Sequence, residues 1–157
     1  MYWTAEGSIF RAGMDGSDRK ILTTIPLSGR RALRGITIDF QTSRLLWACA
    51  DGDKVQSSNM DGGDIQTIIT VPSNSWPFGI GMFADRIYWT NYNLKTLSSC
   101  TRTGEDYRIL YTGTISSPFH LAMVPALDPP KTRGNPCERQ NCTGVCVLTP
   151  TASRCLP

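Results

Sequence analysis

A tryptophan-marked repeat of just over forty residues constrains the fold of this chain more than any other feature. Trp3 and Trp47 are 44 residues apart, and Trp47 and Trp89 are 42 residues apart. A turn with Gly and Asp follows each tryptophan segment, then a β-rich run, then a segment that leads into the next unit. The three marked segments are Tyr2-Trp3-Thr4, Leu46-Trp47 and Tyr88-Trp89-Thr90.

Each unit offers four runs of strand length, and no apolar pattern of helical length and 3.6-residue period occurs. Four strands per unit at a period of about 40–50 residues is typical of a propeller blade. A four-stranded blade buries both faces only between neighbours, so we expect each tryptophan to fill the space between blades. The sequence predicts an all-β fold with about three blades, an incomplete propeller, over residues 1–125.

The phase of the repeat indicates what surrounds these blades. The first unit starts at its Tyr-Trp-Thr strand, and an additional strand, Pro118 to Val124, follows the third unit without a Tyr-Trp strand after it. We expect the remaining repeats to lie upstream in a longer protein. Two open end faces of ~300 Å² each, from strand spacing and rise, forgo on the order of 10 kcal/mol of apolar burial. Three blades alone are therefore expected to be poorly stable.

Composition and charge exclude several classes of function. The formal charge of +3 is mild, and no basic stripe typical of a nucleic-acid binder is present. No segment reaches the roughly 18 apolar residues that span a bilayer, and the first residues do not form a signal peptide. With one histidine, no metal-ligand cluster, no phosphate loop and no nucleophile motif, we predict no enzyme activity, no cofactor and no metal.

Four of the six cysteines crowd into the end of the chain. A segment so short has too little apolar material for its own core, and cross-links between cysteines in an oxidising compartment would hold it. The chain is therefore predicted to be extracellular. The spacing leaves all three pairings of Cys137, Cys142, Cys146 and Cys155 open, and the proline-rich residues 126–136 are predicted to be a linker.

These residues together resemble the YWTD repeats of the low-density lipoprotein receptor family, closest to its large receptor-related members. The resemblance implies a six-bladed propeller followed by an EGF-like module, of which residues 137–157 would be a truncated part. It also implies the pairs Cys137–Cys146 and Cys142–Cys155. In the family an aspartate at the fourth motif position ties neighbouring blades, whereas this chain has Ala5, Cys49 and Asn91 there.

The same resemblance implies a function. We expect a non-enzymatic scaffold or binding region in the ectodomain of an endocytic receptor, with protein ligands of lipoprotein, growth-factor or matrix type. The parent protein would be membrane-anchored, although this segment does not span the membrane. Alternatives are a Wnt-type signalling co-receptor propeller and a nidogen-like matrix protein that binds laminin. Where the family has acid-sensing histidines this chain has Asp53 and Trp76, so acid-triggered release is not carried over.

A few single residues remain as candidates. Arg30, Arg31 and Arg34 form either a solvated loop or a patch for an acidic protein or glycan. Asn141 lies in a glycosylation sequon whose middle residue is a cysteine. His120, on the Pro-Phe strand, is expected to be structural. For Cys49 and Cys100, both a disulfide and two separate buried thiols remain open.

Overall fold

The computed structural model describes residues 1–26, 33–113, 116–123, 145–148 and 153–156. These residues form strands and turns without a helix, which confirms the all-β prediction. No helix long and apolar enough to cross a bilayer occurs in these ranges. The strands are β1 (Tyr2–Ala5), β2 (Ser8–Arg11), β3 (Lys20–Thr24), β4 (Leu33–Asp39), β5 (Arg44–Cys49), β6 (Lys54–Asn59), β7 (Gln66–Thr70), β8 (Pro77–Phe83), β9 (Arg86–Asn91), β10 (Thr96–Thr101), β11 (Arg108–Thr112), β12 (Val145–Leu148) and β13 (Ser153–Leu156).

The first eleven strands form three antiparallel meanders, which we call the first, second and third blades. The first blade has the order β1-β2-β3, the second β4-β5-β6-β7 and the third β8-β9-β10-β11. The tryptophan of each repeat lies on β1, β5 or β9. The last strand of every blade carries one extra residue in its ladder, namely Leu22, Ile68 or Leu110. The repeat in the sequence is therefore matched by a repeat in the pairing register of the last two strands of each blade.

The innermost strands of successive blades lie side by side because glycine allows their backbones to approach. A Cβ atom on Gly35 of β4 would lie 2.7 Å from the carbonyl oxygen of Phe78 on β8. A Cβ atom on Gly79 of β8 would lie 2.7 Å from the backbone nitrogen of Leu121. Residues 118–123 therefore lie beside β8 in the same way that β8 lies beside β4. In the described part of the chain they pair with no strand.

The core consists of two apolar layers, one between each pair of neighbouring blades. Trp47 lies between the first and second blades, packed with Ile9 and Leu45, and Trp89 lies between the second and third with Val55. Both indole rings are completely buried. Each tryptophan thus faces the blade that precedes its own.

Hydrogen bonds and ion pairs join neighbouring blades, and two of these hydrogen bonds come from the threonines next to fourth motif positions that lack the family's aspartate. The Thr4 hydroxyl donates to the carbonyl oxygen of Arg34 on the next blade at 2.6 Å. The Thr90 hydroxyl donates to the carbonyl oxygen of Pro118 at 2.8 Å. Arg102 of the third blade forms an ion pair with the buried Asp39 of the second blade, with Nε and Oδ2 2.8 Å apart. Threonine and arginine side chains therefore link blades in this chain.

The cysteine-rich end is described only as the two-stranded sheet of β12 and β13. Its register places Cys146 opposite Cys155. The linker 126–136, Cys137, Cys142 and Asn141 lie outside the described residues. The pairing Cys137–Cys146 with Cys142–Cys155, and the EGF-like module itself, stay predictions.

Candidate functional site

Four aromatic side chains from the third blade, the loop that leads into it and the segment that follows it meet at one end of the inner strands. Tyr92 is central, with its ring centroid 6.1 Å from that of Trp76 and 5.0 Å from that of Phe119, stacked on both. Phe78 lies 6.1 Å from Tyr92 and meets Phe119 edge to face at 5.2 Å. We call Trp76, Phe78, Tyr92 and Phe119 the aromatic face.

The repeat explains why these rings converge. Phe78 and Phe119 hold the same position in successive Pro-Phe segments, so they lie on adjacent inner strands. Tyr92 follows directly after β9, the strand that pairs with β8 in antiparallel fashion. The end of β9 therefore lies beside the start of β8, and Trp76 immediately precedes that start.

The loop that carries Trp76 is held in place from two sides. Oδ1 of Asp53 accepts a hydrogen bond from the Trp76 backbone N–H at 2.8 Å, and Oδ2 accepts one from the Asn74 backbone N–H at 2.7 Å. On the other side, the Tyr92 N–H donates to the Trp76 carbonyl oxygen at 2.9 Å, and the Asn93 amide donates to that of Asn74 at 3.0 Å. The indole is therefore presented on a fixed backbone.

Two cations border the aromatic face. The Cζ of Arg34 lies 4.7 Å from the Phe78 ring centroid, and the Nζ of Lys95 lies 4.1 Å from that of Tyr92. A cavity of about 300 Å³ opens there, lined by Arg34, Ala50 and the four aromatic residues. Phe119 is 50% exposed, and the other three rings are partly exposed. The surface thus combines accessible aromatic area with positive charge.

Such a surface binds other proteins more readily than it performs chemistry. Aromatic and arginine side chains supply most of the binding energy in protein interfaces, and a nearby cation selects acidic groups. In the described ranges, no group of three or more His, Cys, Asp and Glu residues is placed to hold a metal ion. The site is suited to recognition of an apolar side chain beside a carboxylate.

A second cavity, of about 380 Å³, lies along the inner strands and is lined mainly by their glycines and aliphatic side chains. His120, the only histidine, is exposed at its border. No charged residue lines this cavity. The cavity exists because the glycines of the inner strands have no side chains to fill it. It has few polar groups that could recognise a specific ligand.

The residues singled out by the sequence fall in different places. The repeat-motif residues Leu46, Trp47, Trp89 and Thr90 are buried between blades, while Tyr2, Trp3, Thr4 and Tyr88 are partly buried. Of the arginine group, Arg34 borders the aromatic face, and Arg30 and Arg31 lie outside the described residues. The motif residues therefore belong to the packing within and between blades, and none of them is part of the aromatic face.

Cys49 and Cys100 are buried free thiols, so the interpretation as separate thiols applies in this structure. Burial raises the pKa of Cys100 to about 11. Burial also raises the pKa of Cys49, partly offset by its hydrogen bond to the Asp51 carbonyl oxygen. Neither thiol is activated for nucleophilic chemistry.

Sequence reasoning did not find the aromatic face, although a signal for it was present. The recurrence of Pro77-Phe78 and Pro118-Phe119 places two aromatic rings at one end of adjacent inner strands. Trp76 and Tyr92, which flank β8 and β9, could have been added from the antiparallel order of strands in a blade. Asp53 and Trp76 stand out in the sequence only as the places of the family's histidines, and the hydrogen bonds from the loop to Asp53 depend on the path of a segment more than twenty residues away.

Comparisons with known proteins relate the whole chain to large receptors. It is 31% identical to low-density lipoprotein receptor-related protein 5 of Mus musculus over 160 aligned residues, 98% of this chain and 9% of that protein. It is 29% identical to the vitellogenin receptor of Solenopsis invicta over 157 residues, 94% of this chain and 8% of the receptor. The chain thus spans less than a tenth of these relatives. No family model matches it.

Solved structures show the fold. The chain matches nidogen in a nidogen–laminin complex with a TM-score of 0.67 and 24% identity, over 76% of this chain and 46% of that one. Virginiamycin B lyase from Staphylococcus aureus matches with a TM-score of 0.57 and 21% identity, over 71% and 36%. At these identities the likeness concerns the fold alone.

Fold and repeats together define the chain as part of a YWTD-type β-propeller. With relatives such as the vitellogenin receptor and receptor-related protein 5 over nearly its whole length, its repeats are those of the low-density lipoprotein receptor family.

Proposed function

We propose that this chain is an extracellular, non-enzymatic binding region of an endocytic receptor of the lipoprotein-receptor type, and that the aromatic face contacts its protein ligand. The observation that carries the proposal is the convergence of four accessible rings with Arg34 and Lys95 on one rigid surface. The buried, protonated thiols and the uncharged second cavity favour binding over catalysis.

The ligand chemistry follows from the surface. An apolar side chain of the ligand enters the cavity and packs on the exposed parts of the stacked Tyr92 and Phe119 rings, and a neighbouring carboxylate approaches the guanidinium of Arg34. Because the cation is partly exposed, its main effect is on selectivity and association rate and less on affinity. A loop or a short extended segment of a protein offers both groups together.

A peptide library displayed on phage tests the proposal with the 157-residue chain as bait. We expect enriched peptides to carry an apolar residue next to an acidic one. For such a peptide, Phe119→Ala should raise Kd at least about tenfold, as for a central aromatic contact. Arg34→Ala should weaken binding more at low than at high salt, because salt screens exposed charges.

Phe40→Ala is the matched control. Phe40 is 84% exposed and follows the far end of β4, the strand that carries Arg34 near its beginning. Removal of this ring should leave the affinity unchanged. Peptides that bind equally well to the Phe119→Ala variant would contradict the proposal.

A second candidate, a matrix function, draws on the solved nidogen–laminin complex, which has this fold. Binding of the chain to immobilised laminin, compared with binding to low-density lipoprotein particles, separates the two. Laminin binding that is lost on Phe119→Ala would favour the matrix function and retain the aromatic face as the site.

A further inference from the structure

We propose that the ligand segment carries two acidic residues, one on each side of its apolar residue, so that one carboxylate pairs with Arg34 and the other with Lys95. This inference deepens the proposed function and rests on it, because both place the ligand on the aromatic face. It adds Lys95 as a residue that selects the ligand. The class of ligand becomes a protein segment in which acidic residues flank an apolar one.

Arg34 and Lys95 have no acidic partner within the described blades. Five other arginines form ion pairs with aspartates of these blades, namely Arg11, Arg44, Arg86, Arg102 and Arg108. Arg34 and Lys95 form none with the described residues, and the buried Nε of Arg34 has no hydrogen-bond partner there. Both side chains are partly exposed. Their positive charges are therefore available to a ligand.

The aromatic rings hold the two cations in place without neutralising them. Arg34 lies over Phe78 and Lys95 over Tyr92, and a cation is attracted to the face of an aromatic ring. A side chain that is already ordered loses less conformational entropy when a ligand binds. The nearby carboxylate of Asp53 accepts two backbone N–H groups and pairs with neither cation. Two fixed positive charges thus border the face.

The two cations occupy different places on the face. Arg34 lines the cavity together with Phe78, so a carboxylate beside an apolar side chain in the cavity reaches its guanidinium. Lys95 is not among the residues that line the cavity, and its ammonium group lies over the ring of Tyr92. A second carboxylate, outside the cavity, is therefore the group that pairs with Lys95.

The spacing of the cations limits the spacing of the acidic residues. The Arg34 Cζ is 4.7 Å from the Phe78 centroid, which is 6.1 Å from that of Tyr92, and the Lys95 Nζ is 4.1 Å from the latter. The cations are thus at most about 15 Å apart, and an extended chain of ~3.3 Å per residue covers that distance in four to five residues. Each acidic residue lies within two positions of the apolar one.

Three peptides of equal composition test the inference with the 157-residue chain. Ser-Glu-Leu-Glu-Ser has an acidic residue on each side of leucine, whereas Glu-Glu-Leu-Ser-Ser and Ser-Ser-Leu-Glu-Glu have both on one side. All three are acetylated and amidated, so that only their side chains carry charge. We expect the two-sided peptide to bind about fivefold more tightly in fluorescence anisotropy, the effect of one additional exposed ion pair. Added salt should reduce this difference.

Charge reversal identifies which acidic residue pairs with which cation. Of the peptides Ser-Lys-Leu-Glu-Ser and Ser-Glu-Leu-Lys-Ser, Arg34→Glu should bind one about fivefold more tightly, and Lys95→Glu should prefer the other to the same extent. Binding of the preferred peptide also shows that each variant is folded. Lys20→Glu is the matched control, because it changes the net charge equally on the outer strand β3 of the first blade and should leave the wild-type order of affinities unchanged.

Equal affinities for the three peptides, or the same peptide preference in Arg34→Glu and Lys95→Glu, would overturn the inference. The proposed function would stand in that case if Phe119→Ala weakened binding of all three peptides. Absence of binding by all three would also overturn the inference, while library-selected peptides that depend on Phe119 would retain the proposed function. If binding of every peptide were independent of Phe119, both would be wrong.

Discussion

Asp53 fixes the backbone of Trp76 through a 2.8 Å hydrogen bond from the Trp76 N–H to its Oδ1. The same carboxylate accepts the N–H of Asn74. Both loop residues have positive φ, 66° at Asn74 and 54° at Trp76, an uncommon conformation that needs support from the surroundings. A carboxylate in a turn of the second blade thus orients an aromatic ring at the entrance to the third.

Asp53→Ala should therefore reduce both stability and ligand binding. The partly buried N–H of Trp76 and the exposed N–H of Asn74 lose a charged acceptor, and we expect the free energy of unfolding in urea to fall by about 2 kcal/mol. The Kd of a library-selected peptide should rise, because Trp76 is no longer held in place. Asp53→Asn, which keeps one oxygen acceptor, should show about half the loss of stability, and equal losses in the two variants would contradict this role.

A second prediction concerns the fourth motif position. In the third blade the buried Trp89 Nε1–H donates to Oδ1 of Asn91 at 3.1 Å, and the Asn91 amide donates to the hydroxyls of Thr96 and Ser98. In the second blade that position is Cys49, and the indole N–H of the buried Trp47 has no hydrogen-bond partner among the described residues. An unsatisfied buried donor costs about 1–3 kcal/mol.

Exchange of the two residues tests this comparison. Cys49→Asn should raise the free energy of unfolding by about 1 kcal/mol, as it supplies the missing acceptor. Asn91→Cys should lower it by about 2–3 kcal/mol, since it leaves an indole and two hydroxyls without their partner. Urea unfolding measures both. An unchanged free energy of unfolding in the Asn91→Cys variant would show that this buried hydrogen-bond network does not stabilise the fold.

The sequence predicted the scaffold far better than the binding surface. The spacing of Trp47 and Trp89 predicts the blades, because the same large side chain fills the same space between blades in each repeat. The ion pair between Asp39 and Arg102 has no such period, since it joins the end of β4 to the turn after β10 and occurs once in the described blades. The loop of Asn74 and Trp76 depends on Asp53 in the same non-repeating way, so only coordinates reveal it.

A third prediction concerns acid. A hydrogen bond from Arg44 and, with a smaller effect, one from Gln66 lower the pKa of Asp64 below its ordinary value of 3.8. A hydrogen bond from Arg108 and, with a smaller effect, one from Arg86 lower the pKa of Asp106 in the same way. A carboxylate with a lowered folded pKa adds stability above its unfolded pKa, and this contribution is lost as pH falls from 3.8 through the folded value.

The double variant Asp64→Asn and Asp106→Asn should therefore flatten the dependence of unfolding free energy on pH below about 4. Both groups are exposed, and salt should weaken the effect in the wild-type chain. Urea unfolding at a series of pH values provides the measurement. An unchanged slope in the double variant would contradict the assignment.

A fourth prediction concerns the thiols. Because burial raises the pKa of Cys100 to about 11, its thiol stays protonated in the folded chain at neutral pH. In the unfolded chain the thiol has its ordinary pKa of 9.0 and ionises first. The contribution of the neutral thiol to the free energy of unfolding is therefore lost as pH rises from 9.0 through 11.

The burial of both thiols also predicts their reactivity. Peptide mass spectrometry after iodoacetamide treatment should find Cys49 and Cys100 modified only in urea. Rapid modification of either residue in the folded chain would contradict its burial.

Chemical-shift mapping by NMR of the 157-residue chain with a library-selected peptide tests the central claim most directly. We predict that the largest changes cluster on Arg34, Trp76, Phe78, Tyr92 and Phe119, and that Phe40 remains unaffected. Changes concentrated on the outer strands β3, β7 and β11, with the aromatic face unchanged, would contradict the assignment of ligand binding to that face.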